Sequence, residues 1–88
     1  MNTPVALTPG TYQANHPLEI TTEINTGSSA TGERIEKKEE FTVVAVEQHK
    51  STIRARVLSG GWVSLQNIKY EIDYATLISV PFEILIHH

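Results

Sequence analysis

Residues 41–65 read FTVVAVEQHKSTIRARVLSGGWVSL, and this stretch decides the fold class. Its first six residues are dense in β-branched side chains, and residues 52–58 alternate apolar side chains with arginine. An apolar residue at every second position is typical of a strand that buries one face. The two runs therefore predict a β-hairpin, and the polar segment 47–51 between them is predicted to be its connection.

The glycine pair that follows predicts a second tight turn, after which residues 62–65 return as another short strand. By parity Val63 and Leu65 share one face of this strand, and Trp62 lies on the other. If Val63 and Leu65 point into the core, Trp62 is partly exposed, where a large aromatic side chain contributes strongly to recognition. The alternative is that Trp62 covers the edge of a barrel and packs on neighbouring loops.

The chain before this hairpin also predicts strands and turns. Residues 18–21, LEIT, alternate apolar and polar side chains as a strand does. Residues 22–32, TEINTGSSATG, have the composition of a long loop. Residues 33–40, ERIEKKEE, hold one apolar residue, Ile35, so a helix there would have almost no face to bury. We expect a short strand around Ile35, followed by a charged turn over residues 36–39.

The end of the chain has the highest apolar density. Residues 74–86 read YATLISVPFEILI, a segment that would form an unusually large apolar patch if it were left exposed. We expect residues 75–80 to close the barrel as its final strand and Pro81 to interrupt the ladder, because proline has no amide hydrogen. Residues 82–86 either fold back on the same chain or pair with a second copy, which makes a homo-oligomer through 74–86 one prediction.

Composition narrows the class of protein. An 88-residue chain fits one domain, and the absence of cysteine excludes disulfides and thiolate chemistry. Seven basic residues against ten acidic ones give a net charge of −3, which argues against a nucleic-acid partner. No stretch approaches the length of a membrane span, and the N-terminus lacks the pattern of a signal peptide. We therefore expect a soluble chain with no membrane partner, and its compartment is left open.

The segments follow from these patterns. Pro4 and Pro9 make residues 1–10 an extended N-terminal arm. Residues 11–80 are predicted to form an all-β barrel. Residues 81–88 are a C-terminal extension, either an extra strand or the remnant of a purification tag that ends in two histidines.

Motifs of catalysis are missing from the sequence. There is no HExxH, no GxSxG and no phosphate-binding glycine loop, so we expect neither an enzyme nor a cofactor. His16, His49, His87 and His88 are too dispersed to define a metal site by spacing. The acids of residues 33–40 alternate with basic residues, which is typical of a solvated turn.

Two of these stretches resemble the bacterial-type SH3-like family. Residues 18–46, LEITTEINTGSSATGERIEKKEEFTVVAV, are similar to its opening strands and Ser-rich loop, and GGWVSL at 60–65 resembles its Gly-Trp-Val element. The resemblance covers about residues 11–66 and implies an SH3-like barrel of five to six short antiparallel strands. Members that bind the cell wall carry an Arg-x-Gly loop after the first strand, where this chain has residues 21–24, TTEI, and Glu39 replaces a glycine of the charged turn.

The resemblance implies a binding surface between the first loop and the hairpin connection. We therefore expect a non-catalytic binding or targeting module that holds a peptide, a glycan or a protein surface in a shallow groove near Trp62. Arg54 and Arg56, predicted to point outward on the adjacent strand, would contact a carboxylate or an aromatic ring. The predicted site is completed by three loop residues, Glu23, Asn25 and His49. The alternative is a structural or assembly domain that oligomerises through the apolar C-terminal strand.

Overall fold

Residues 8–80 are described by a computed structural model, and within them every regular element is a β-strand. There are eight: β1 (Gly10–Ala14), β2 (Leu18–Thr21), β3 (Ala30–Ile35), β4 (Glu40–His49), β5 (Thr52–Val57), β6 (Trp62–Asn67), β7 (Ile72–Asp73) and β8 (Ala75–Ser79). The predicted all-β class is therefore confirmed. The described part of the chain contains no helix that could cross a membrane.

The strands form one antiparallel sheet that curls into a barrel-like shape. Its order is β3-β2-β6-β5-β4-β1-β8, and the short β7 pairs with the end of β6. The two end strands of this order, β3 and β8, do not pair with each other. The curvature is held by the β7–β8 segment, because β7 pairs with β6, the amide of Tyr74 donates to the carbonyl of Leu65 at 2.8 Å, and β8 pairs with β1.

The inner face of the sheet forms the core. Val63 and Leu65 are both buried, and they alternate with half-buried residues, as the parity of β6 predicts. The rings of Tyr12 and Phe41 stack with their centroids 6.1 Å apart, which joins β1 to β4 on the inner face. The buried apolar residues are Tyr12, Ala14, Leu18, Ile20, Ile35, Phe41, Val43, Ala55, Val57, Val63, Leu65 and Ala75.

The central hairpin of β4 and β5 is confirmed, but its predicted connection is wrong. The predicted loop 47–51 is mostly strand, since β4 continues to His49, which pairs with Thr52. Only two residues remain for the turn, and Lys50 adopts a left-handed φ of 56°. Sequence signals for so tight a turn depend on glycine, asparagine or aspartate, and none of these is present here.

The sequence predicted five to six strands, and two strands of the structure, β1 and β7, were not among them. β1 has only Tyr12 and Ala14 as apolar residues, and β7 is two residues long, so neither shows a strong strand pattern. The predicted strand at 18–21 and the charged turn at 36–39 are confirmed, and the strand predicted around Ile35 is present but longer than expected, since it spans six residues. The loop after β2 covers 22–29 rather than 22–32, because β3 begins at Ala30.

The final strand predicted at 75–80 is present as β8, which pairs with β1. It does not close the barrel as predicted, because β8 and β3, the two end strands of the sheet, do not pair with each other. The proposed arm before residue 8, the fold-back or pairing of 82–86, Pro81 and the two terminal histidines lie outside the described residues.

The turn between β5 and β6 brings the backbone of Gly61 against β2. Gly60 and Gly61 have positive φ values of 108° and 87°, which side chains rarely tolerate. A β-carbon on Gly61 would collide with the Cγ2 atom of Ile20 and stand 3.0 Å from the carbonyl oxygen of Thr21, whereas one on Gly60 would meet nothing within 4 Å. The glycine before Trp62 is therefore required by close packing as well as by its dihedral angles.

We expect Gly61→Ala to destabilise the domain more than Gly60→Ala. Both substitutions strain a positive φ, at a cost of about 1 kcal/mol. Gly61→Ala should cost about 2 kcal/mol more, because the new methyl group must displace β2. Urea denaturation of the two variants measures the difference in the free energy of unfolding. Equal destabilisation by the two variants would show that β2 yields to the methyl group without cost.

Candidate functional site

Arg54 departs most from its predicted position. It was expected to point outward into solvent, but only 2% of its surface is exposed, which makes it the largest fully buried side chain among the described residues. Its face is nevertheless the outer one, since its partner in the register is Ser64, which lies between the buried Val63 and Leu65. The alternation of side chains along β5 therefore predicted the face of Arg54 correctly and its exposure wrongly.

The burial of Arg54 comes from the loop 22–29, which folds over the outer face of the sheet. The Nε atom of Arg54 donates to the carbonyl oxygen of Ile24 in this loop at 2.7 Å. The loop is held in turn by Thr21, whose hydroxyl donates to the carbonyl oxygen of Glu23 at 2.8 Å. The alternation of side chains along β5 carries no information about a distant segment that covers one of them.

The guanidinium of Arg54 bonds three neutral oxygens. Besides the carbonyl of Ile24, Nη1 donates to the hydroxyl of Ser64 at 2.7 Å, and Nη2 donates to the hydroxyl of Thr21. Glu47 is opposite Arg54 in the β4–β5 register, yet within residues 8–80 no carboxylate forms an ion pair with Arg54. Burial lowers the pKa of the guanidinium from its usual range, but arginine stays charged at neutral pH.

A cleft opens beside this buried cation, and we call it the Arg54 cleft. β2 and β6 pair at one position only, Thr21 with Trp62, so the two strands diverge on one side of that pair. The space between them has a volume of about 250 Å³. The Arg54 cleft is lined by Pro17, Leu18, Glu19, Thr21, Thr26, Arg54, Ser64 and Tyr74.

The other predicted site residues fall into two places. Trp62 is half-buried on the outer face and lies opposite the exposed Arg56 in the register. Glu23 and Asn25 are exposed in the loop that packs on Arg54, so these four residues share the neighbourhood of Arg54. His49 does not, because it ends β4 opposite Thr52, four residues along β5 from Arg56, or about 13 Å of strand.

A second and larger cavity lies away from Trp62, and we call it the acidic groove. It is open to solvent and has a volume of about 670 Å³. Its residues come from β2, β3, the start of β4, the end of β5 and the turns that precede β4 and follow β5. They are Ile20, Ile35, Phe41 and Val57 of the core, the charged residues Glu33, Arg34, Glu39 and Glu40, and Thr42, Leu58 and Ser59. Trp62 lines neither this groove nor the Arg54 cleft.

The charges around the acidic groove do not cancel. Arg34 pairs with Glu36, its Nε atom lying 3.2 Å from a carboxylate oxygen. Glu39 accepts a hydrogen bond from the backbone amide of Glu36 at 2.8 Å. Glu33 and Glu40 are both exposed and have no ion-pair partner among residues 8–80, so the groove carries excess negative charge. The sequence predicted a solvated turn for these acids, because alternation along the strands does not show that the edges of buried core residues line a groove beside them.

Neither cavity holds an arrangement typical of a metal site or a nucleophilic catalyst. Across residues 8–80, no three histidine, aspartate or glutamate side chains come together as metal ligands would. Comparison of the chain with protein-family models, with curated proteins and with solved structures finds no match in any of the three. The resemblance to bacterial SH3-like domains therefore stays a prediction.

We expect Arg54→Lys to destabilise the domain by about 2–3 kcal/mol, because an ammonium group cannot reach three separate acceptors and leaves buried oxygens unpaired. The matched control is Arg56→Lys on the same strand and face, which is exposed and should change stability by no more than about 0.5 kcal/mol. Urea denaturation measures both.

Hydrogen exchange tests whether the Arg54 guanidinium holds the loop 22–29 in place. The amides of Thr22 and Ser28 bond the carbonyl oxygens of Ser29 and Asn25 within the loop, at 2.9 and 3.1 Å. Both should exchange faster in Arg54→Lys and not in Arg56→Lys. Unchanged protection in Arg54→Lys would show that the loop does not depend on the guanidinium.

Proposed function

We propose that this domain is a non-catalytic binding module and that the acidic groove holds an extended, basic peptide segment of a partner protein. The observation that carries the proposal is the floor of the groove. Four buried core residues, Ile20, Ile35, Phe41 and Val57, present narrow edges to this floor, each being 4–8% exposed, and the 68% exposed Leu58 adds apolar surface at the rim. An apolar surface with a charged rim is typical of a recognition site.

Charge complementarity favours a cationic ligand. Glu33 and Glu40 stand unpaired beside the apolar floor, and the whole chain carries a net charge of −3. Lysine or arginine side chains of a ligand would reach the rim, while apolar side chains between them cover the floor. The aliphatic parts of lysine and arginine also suit an apolar surface with a polar edge.

The strand at the side of the groove favours an extended ligand. Among the described residues β3 pairs on one side only, with β2, and its residues 33–35 line the groove. Unpaired amides and carbonyls of an edge strand can bond the backbone of a peptide. In an extended peptide alternate side chains point the same way, so a basic–apolar alternation matches the groove.

The test is a titration with a designed peptide, acetyl-Lys-Val-Lys-Val-Lys-Val-amide, followed by amide chemical shifts of the full chain. We expect saturable shifts at groove residues and affinity that falls with added salt. The double variant E33Q/E40Q should bind about fivefold more weakly, since each exposed charge pair is worth about 0.2–1 kcal/mol. Glu71→Gln removes an exposed charge outside the groove and serves as the control.

Two outcomes would overturn the proposal. One is equal binding of the anionic peptide acetyl-Glu-Val-Glu-Val-Glu-Val-amide, and the other is an effect of Glu71→Gln as large as that of E33Q/E40Q. Trp62→Ala belongs in the same titration. Because Trp62 does not line the groove, we expect this variant to bind the peptide with unchanged affinity. A loss of more than about 1 kcal/mol of binding energy would show instead that the peptide binds near Trp62.

The second candidate is assembly through the edge strand β8. Among residues 8–80 this strand pairs only with β1, and its sequence ATLIS has no charge to discourage addition of another strand. Ile78 at its irregular pairing with β1 is 48% exposed. These features support the hypothesis that two copies of the chain pair along β8.

Light scattering of the full chain during size-exclusion chromatography tests assembly. If copies pair along β8, Ile78→Lys should convert a dimer to a monomer, because two like charges would face each other across the new ladder. Tyr70→Lys is the matched control, since Tyr70 is 65% exposed on the β6–β7 turn. A monomeric wild-type chain, or a dimer that survives Ile78→Lys, would contradict assembly through β8.

A further inference from the structure

We propose that the Arg54 cleft is a second binding site, which takes a single carboxylate group attached to a small apolar group. The cleft and the acidic groove share no residue, so this inference stands apart from the binding of a basic peptide. The proposal rests on Arg54, a buried cation that lines a cavity and that forms no ion pair with any described carboxylate.

The guanidinium has capacity for a further acceptor. Arginine has five N–H donors, and Arg54 uses three of them, toward Ile24, Ser64 and Thr21. One N–H on each terminal nitrogen therefore has no acceptor within residues 8–80. All three existing acceptors are neutral, and no described carboxylate lies within ion-pair distance of the guanidinium. In a low-dielectric site an anion gains more from such a cation than it would in water.

The shape and charge of the cleft favour a monocarboxylate over a phosphate group. The number of remaining donors, one on each terminal nitrogen, equals the number that a carboxylate accepts in a bidentate pair with arginine. The carboxylate of Glu19 also lines the cleft, and it would repel a dianion more than a monoanion. A volume of about 250 Å³, with Pro17 and Tyr74 among its walls, leaves room for a short apolar group beside the carboxylate.

The test uses propionate, with propionamide as a neutral control of the same shape and sodium chloride as the control for ionic strength. The readout is the Nε–Hε resonance of Arg54 together with the amide resonances of Thr21 and Ser64. We expect saturable shifts with propionate alone and a Kd on the order of 10 mM, as befits so small a ligand. Equal shifts with propionamide or chloride would overturn the proposal, as would tighter binding of inorganic phosphate.

A variant that keeps Arg54 provides the second test, because substitution of Arg54 itself could disturb the fold. Glu19→Gln removes the negative charge from the cleft and should tighten propionate binding about threefold. Glu71→Gln removes an equal charge outside the cleft and should leave the Kd unchanged. If the two variants have the same effect, the anion responds only to net charge, and the cleft is not its site.

Peptide probes distinguish the two sources of a carboxylate. Acetyl-Ala-Ala with a free C-terminus presents a chain end, and acetyl-Glu-amide presents an acidic side chain. Tighter binding of the first assigns the cleft to a peptide terminus, and tighter binding of the second assigns it to an acidic side chain. Failure of both to shift the Arg54 resonance would overturn the proposal. If the lysine–valine peptide still binds the acidic groove when both carboxylate probes fail, the proposal for the Arg54 cleft fails and the proposal for the groove does not.

Discussion

The buried guanidinium of Arg54 ties the β2–β3 hairpin to the rest of the sheet. In the strand order β3 is reached only through β2, and β2 meets β6 at one paired position, Thr21 with Trp62. A single position is a weak ladder. Arg54 adds bonds to Thr21 on β2 and to Ser64 on β6, and it bonds the loop that joins β2 to β3. One side chain of β5 thereby links three strands and a loop.

This link has an electrostatic cost that an apolar side chain would avoid. Moving a charge out of water is expensive, and buried ion pairs are often replaceable by apolar residues without loss of stability. Arg54 is less well compensated than an ion pair, because its described acceptors are all neutral. If a ligand carboxylate binds in the Arg54 cleft as proposed, it would lower that cost and so stabilise the β2–β3 hairpin.

Local patterns in the sequence predicted six of the eight strands and not the sites. Alternation in 52–58 and the β-branched run before it were sufficient for the central hairpin, and the single apolar residue in 33–40 was sufficient to exclude a helix. The burial of Arg54 depends on a loop from another part of the chain. The floor of the acidic groove depends on which buried core residues present an edge to it. Neither follows from the period of a strand, because period gives a side chain's face and not what covers that face.

β2 connects the two cavities, since it forms a wall of both. Ile20 lines the acidic groove, whereas its neighbours Glu19 and Thr21 line the Arg54 cleft on the other face of the same strand. The position of β2 is fixed by one strand pair and one guanidinium, and Gly61 packs directly against Ile20 and Thr21. A group that tightens Arg54 on Thr21 therefore acts on the same strand that shapes the floor of the groove. The two proposed ligands would contact opposite faces of one strand, so a coupling between the two proposed sites would have to act through β2.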